Sequence, residues 1–327
     1  MPDSSQTQPN AFNCEGGLVL NRSNFVMQPG EALELENFEP DIQGGYRRIN
    51  GFRKFVNQVI PFTSSSSETT LLVANFANKV VAARGEKIFT SSSAELAISI
   101  ASGTGMTGSG TISVGSTVGF SSSGTLQIDS EIFTYTGINS TTFTGVTRAT
   151  SSTTAAAHSK ASVVSESWTV RDTGRTSAAK YHFERFNFDG NEKIICVDQA
   201  NAPVVFNTAM AATDVSTSSV AGAKTVAAYR NHMFYAGKST SPQEIVFSEP
   251  FDEDGFNAGD GAGSIKVDDT VVALKVFRDS LFIFCENRIF KLTGSSLSNF
   301  AVEPVTRNIG CINSFTVQEF AGDLIFL

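Results

Sequence analysis

The chain has 327 residues, a net charge of −8 and only 17% charged residues. No basic face appears as a run, which argues against a dedicated nucleic-acid binder, because neutralising phosphates needs one. No window approaches the roughly 18 apolar residues of a spanning helix, and MPDSSQTQPNAF lacks the basic start and apolar run of a secretory signal. The expectation is a protein made in a cytoplasm without a membrane anchor. Phe dominates the aromatics, 27 against 5 Tyr and 1 Trp, and with Val and Ile it supplies the residues that half-buried strands favour.

In chain order, residues 1–11 are polar and expected to order only against a partner. From Gly16 the text reads GGLVLNRSNFVMQPGEALELENFEPDIQGGYRRINGFRKF. Pro29-Gly30 marks a turn, 31–38 a short helix or extended piece, and Gly44-Gly45 a second turn into 46–55. Arg47, Arg48, Arg53 and Lys54 form the one basic cluster. Local pairing or solvation is the plain reading of it, and contact with an acidic neighbouring subunit the sharper one. Residues 1–62 are assigned to an extended amino-terminal segment packing on the rest of the chain or on neighbours.

After a linker at 63–68, TLLVANFANKVVAARGEKIF shows a recurring unit: an aromatic, a polar turn, then an alternating apolar strand. Its copies lie at Phe76-Ala77-Asn78-Lys79, Phe186 to Gly190, Tyr229-Arg230-Asn231, Phe277-Arg278-Asp279 and Phe320-Ala321-Gly322. The last four recur about every 45 residues, the period of propeller blades. The step from Phe76 to Phe186 is more than twice as long, and removing the Ser/Thr/Gly-rich block 100–164 restores the period. Short alternating pieces in that block (TISV, TLQID, EIFTYTGI) make it a small β module. The predicted fold is therefore all-β: propeller-like blades in 63–99 and 165–327, an inserted module at 100–164, and a carboxy-terminal part expected to be incomplete. A two-layer sandwich is the competitor. Phe282 and Phe284 are placed on alternate faces of one blade strand.

Motifs for catalysis are weak. GTGMTG at 103–108 satisfies the dinucleotide fingerprint literally, but no helix is expected after it and Asp129 falls in a hairpin-like piece. His158, His182 and His232 come without a nucleophile elbow or a zinc motif. The acidic loop 248–269 lacks the closing Glu of a calcium loop, so solvation is preferred over a divalent-ion site. Cys14, Cys196, Cys285 and Cys311 have no ligand spacing and read as free thiols, the last three buried. KYHFERFNF could stack single-stranded bases through Tyr181, Phe183 and Arg185, though an ordinary strand with a buried aromatic face is preferred. No enzyme activity, cofactor or metal site is expected.

Taken together in order, GGL, PGEALELENFEPD and GGYRRINGFRKF, then IVFSEPFDEDGFN, VVALKVFRDSLFIFCENRIFKLTG and IGCINSFTVQEFAGDLIFL resemble tail nozzle and tail stabilisation proteins of short-tailed double-stranded DNA bacteriophages. The likeness is best over 16–89 and 224–327. It implies a structural virion protein of the viral tail, a β-propeller assembled as a homohexamer around the DNA exit channel. The implied partners are further copies of itself, the head-to-tail adaptor (the head-tail connection), tail fibres or distal tail proteins, and viral DNA that passes during ejection without sequence-specific binding. Assembly in the host bacterial cytoplasm is implied as well. Relatives continue with further strands beyond the point matching Leu327. A glycan-binding or glycan-cleaving propeller adhesin is the alternative.

Overall fold

The computed structural model describes residues 16–19, 24–28, 30–40, 45–49, 51, 53–65, 67–320 and 322–327. Cys14 and residues 1–11 lie outside them. Contacts divide the chain into Met1–Lys54 and Phe55–Leu327. In the first unit β1 (Gly17–Leu18) pairs in parallel with β2 (Glu31–Ala32), and β3 (Phe38–Pro40) forms a hairpin with β4 (Tyr46–Arg48). Gly17 has φ +71 and lies against the Tyr46 ring, where a Cβ would come within 2.8 Å of a ring carbon, so this turn requires glycine.

The second unit opens with three antiparallel strands, β5 (Thr70–Phe76), β6 (Lys79–Arg84) and β7 (Lys87–Ser91). Seven strands then make a separate sheet: β8 (Ser93–Glu95), β9 (Thr107–Ser113), β10 (Gly124–Ile128), β11 (Glu131–Tyr135), β12 (Gly137–Asn139), β13 (Thr142–Thr147) and β14 (Val163–Glu166). The chain returns as β15 (Thr169–Thr173), which pairs with β7 and completes a four-stranded blade around the insertion. Three more four-stranded antiparallel sheets follow, each a simple meander. The second blade is β16 (His182–Phe188), β17 (Asn191–Val197), β18 (Val204–Asn207) and β19 (Ala212–Asp214). The third is β20 (Thr225–Tyr229), β21 (His232–Lys238), β22 (Ser241–Phe247) and β23 (Gly263–Lys266). The fourth is β24 (Val271–Phe277), β25 (Ser280–Cys285), β26 (Ile289–Thr293) and β27 (Ala301–Thr306). After a 3-10 turn at Ser314–Thr316, β28 (Gln318–Phe320) and β29 (Asp323–Ile325) form a final hairpin.

Each recurring aromatic-plus-turn unit is the first hairpin of a sheet. In three of them both turn residues have positive φ: Ala77 and Asn78, Asp189 and Gly190, Arg230 and Asn231. This is the primed two-residue turn whose twist matches that of paired strands. The sheets stack in series, because alternate side chains of one strand serve two neighbours. On β17, Ile194 and Cys196 pack toward the first blade, whereas Ile195 and Val197 pack toward the third. Phe234, Phe247, Leu281 and Ile283 fill the next interface. Phe284 and Cys311 join the fourth blade to the last hairpin. The inserted sheet has its own core, with Leu126, Phe133 and Phe143 fully buried. The fold is all-β and propeller-like, stacked in series and not the two layers of a sandwich.

Three expectations need correction. Phe282 and Phe284 are two residues apart and share a face, both packing on the cluster with Cys311, while Leu281 and Ile283 take the other. The inserted sheet begins at Ser93 and ends at Glu166, not at 100 and 164, because β8 pairs with β14 to form its stem. Residues 55–62 belong to the second unit and not to an amino-terminal segment reaching 62: Trp168 Nε1 donates to the Gln58 carbonyl at 3.1 Å and Arg84 Nη1 to that of Ile60 at 2.7 Å. Among the described residues no helix is long and apolar enough to cross a membrane.

Candidate functional site

Two features stand out, the root of the inserted module and a groove between the leading strands of the blades. At the root, Lys79 opens β6 and Glu166 closes β14. Both are buried, and Lys79 Nζ donates to Glu166 Oε2 and to Ser92 Oγ at 3.1 Å each. The other Glu166 oxygen accepts the Ser121 amide at 3.0 Å, and Ser91 Oγ donates to the Glu166 carbonyl at 2.7 Å. Asn57 straps the module from outside, its Nδ2 donating to the carbonyls of Gln127 and Val163 at 3.1 and 2.7 Å. A buried ion pair with its remaining valences met fixes geometry more than it adds stability. The module is thereby clamped to the first blade.

Inside the module, Glu131 is fully buried and receives Arg148 in a two-point pair at 2.8 and 2.7 Å. His158 bridges it to Asp129, with Nε2 at 2.9 Å from Glu131 and Nδ1 at 2.7 Å from Asp129. Burial raises the Glu131 carboxyl, but Arg148, the Ala156 amide and His158 outweigh it and bring it to about 2. Arg148 also donates to the carbonyls of Ala101 and Ala156, tying loops across the sheet. Arg148, Glu131 and His158 bond to one another and to partners within the module, as befits a structural network.

The groove has a volume of about 460 Å³ and lies between β16 and β24, with Ala227 of β20 on its floor and Phe315 and Gln318 at one end. The small Ala227 on the middle strand leaves the space open. His182 and Glu184 are two apart on β16 and face β20. The imidazole Nδ1 approaches the Val226 amide at 3.4 Å, and Glu184 Oε1 the Ala228 amide at 3.4 Å. Burial pushes the Glu184 carboxyl up to about 7, against the Ala228 amide and Lys275 on β24, which pull it down. Burial and then Lys275 lower His182 to about 4. A carboxyl displaced this far inside a cleft is a recognised mark of a binding or reacting site.

The residues singled out in the sequence fall elsewhere or into the core. Arg47 Nε pairs with Glu39 at 2.9 Å across the β3–β4 hairpin; Arg48, Arg53 and Lys54 are exposed in the first unit. Tyr181 and Phe183 pack toward the first blade, Phe186 and Phe188 toward the third, so these aromatics are core. His232 is buried with Nδ1 donating to the Ser248 carbonyl at 2.6 Å. GTGMTG runs from a loop into β9, with no helix following. In the acidic loop Glu249 accepts the Asn257 amide, Asp252 that of Asp254, and Glu253 pairs with Lys193. No group of three or more His, Cys, Asp or Glu side chains is placed to hold a metal among the described residues. Cys196, Cys285 and Cys311 are free and buried, and burial raises the first two thiols to about 12. Glu184 and Lys275 were missed. The available signals were a Glu two residues from a His on the strand face that also carries Phe186 and Phe188, and a lone Lys within VVALKVF.

No family model and no curated protein matches the chain. Among solved structures, it is similar to the phage phi92 endosialidase, with 14% identity and a TM-score of 0.39 over 77% of this chain and 52% of that one. It is also similar to Saccharomyces cerevisiae Sqt1, with 12% identity and a TM-score of 0.31 over 76% of each chain. The chain thus spans about half the length of the endosialidase chain it matches.

Proposed function

We propose that the protein is a structural component of the tail of a short-tailed double-stranded DNA bacteriophage, placed in the nozzle that joins the head-to-tail adaptor to distal tail parts. The structural observation that favours this role is the clamp at the module root. Lys79, Glu166, Ser92 and Asn57 seat a separate sheet on the first blade with little freedom, an arrangement suited to presenting the module at a set angle to a neighbour. The tail assignment itself comes from the ordered resemblance over 16–89 and 224–327. In a ring of copies, packed around a channel through head-to-tail contacts, the stacked sheets would act as stiff wall segments. The net charge of −8 would disfavour adhesion of the DNA backbone, so that DNA slides past.

Electron microscopy of the intact particle, with the protein labelled or deleted, tests the reading. Density for the blades in a ring around the tail axis is expected. A protein that stays a monomer in solution and never joins a particle would remove it.

A second reading, a glycan-binding propeller, is favoured by the groove with its half-buried Glu184. Cleavage by the usual route requires two carboxyl groups on either side of the bond, about 5–10 Å apart. The groove lining supplies Glu184 alone, which suits binding and not hydrolysis.

A further inference from the structure

Among the described residues, the buried acids of this protein are well supplied with partners. Glu166, Glu131, Glu253 and Asp198 each accept close donors; Asp198 takes the Ala200 and Asn201 amides at 3.0 and 2.8 Å. The groove departs from this rule. Glu184 accepts a single amide at 3.4 Å, and Lys275 forms no ion pair among the described residues. A depression at one mouth shares His182 and Phe315 with the groove and adds Lys180 and Lys224. Lys275 thus lines the groove, and Lys180 and Lys224 line the depression beside it. The acid facing them at the mouth, Asp198, is already spent on its own loop. A half-buried lysine without an ion pair is costly unless something anionic meets it, and Glu184, the one carboxyl in the groove lining, is an anion only when it has lost its proton.

We propose that this groove binds an oxyanion, a carboxylate or sulfate carried on a small hydroxylated ligand, with Lys275 as its principal counter-charge and Glu184 as a neighbour that donates when protonated and repels when ionised. The proposal deepens the glycan-binding reading and rests on it only for the sugar part of the ligand. The charged and titratable groups around Glu184 are His182 and Arg185 from its own strand and Lys275 from β24, while Ala227 and Ala228 of β20 and the turn Ser314–Thr316 contribute none. Arg185 is exposed and its guanidinium donates to the Asn75 carbonyl, leaving Lys275 as the inner cation. Because Glu184 loses its proton near neutrality, the site would close to anions as pH rises.

Isothermal titration of the whole protein with glucuronate, sulfate and glucose, at about pH 6 and about pH 8.5, reads the site out. Saturable binding of glucuronate and sulfate at the lower pH, at least about tenfold weaker at the higher, is expected. K275M, or K275Q if the first melts early, should lose at least about tenfold, and E184Q should bind equally at both pH values. No saturable binding of either anion, or binding unchanged in both Lys275 variants, would overturn the inference. Glucose bound as tightly as glucuronate would overturn it too while leaving the glycan reading intact; sulfate bound as tightly as glucuronate would uphold the oxyanion site and remove the sugar.

Discussion

Single side chains carry their burial cost in ways that pH can expose. Glu184 has a folded-state pKa near 7 against an ordinary 4.5, so between those values the folded chain holds a proton that the unfolded chain has released. Stability therefore falls as pH rises from about 4.5 to about 7, and the cost persists above. E184Q is expected to be more stable than wild type at pH 8 by on the order of 2 kcal/mol, and equal to it at pH 4, in urea denaturation followed at both values. Tyr181 offers a contrasting case. Its hydroxyl is buried without a hydrogen-bond partner among the described residues, so Tyr181→Phe removes a desolvated oxygen and no bond. Its melting temperature should equal or exceed that of wild type, because an unmet buried hydroxyl costs about 1–3 kcal/mol; a clear loss would refute the unmet state of this hydroxyl.

At the scale of elements, strand parity decides which face a substitution reaches. Phe284 is fully buried and Phe282 partly so on the same side of β25, with Ile283 buried on the other. Phe284→Asp and Ile283→Asp should each destabilise by more than about 3 kcal/mol, Phe282→Asp by clearly less, since a charge in a packed interface has no solvent or partner to meet. Denaturation midpoints of the three variants measure this, and a Phe282→Asp loss as large as the other two would refute the assigned depth. The stem of the module gives a second test. Lys79→Met leaves Glu166 buried with only its amide donor, a loss of roughly 3 kcal/mol. Hydrogen exchange should quicken at β8 and β14 while β20–β23 stay protected; uniform loss of protection would mean that the ion pair holds the whole stack and not the joint.

For the whole molecule, series packing has a mechanical consequence. Each blade shares one interface with the blade before and one with the blade after, so stability is close to a sum of neighbour terms. A load applied at one blade passes through the cores around Phe206, Val226 and Ile283 in turn. The proposed role as a wall segment of a tail ring would draw on this stiffness, and imaging of the intact particle tests it.

Much of this was legible in the residues. The aromatic-plus-turn unit announced the four blades and the last hairpin, because a two-residue primed turn between alternating strands is a local event that Asn78, Gly190 and Asn231 encode in place. The inserted module showed as a break in period for the same reason. What local pattern could not reveal was which distant strands meet. The stem pairing of Ser93–Glu95 with Val163–Ser165 joins residues far apart in the chain, and the Lys79–Glu166 pair spans the whole insertion. The groove is the clearest instance. His182 and Glu184 acquire their shifted acidities only when the fold buries them and brings Lys275 near, and burial and proximity belong to the folded arrangement, not to any one segment.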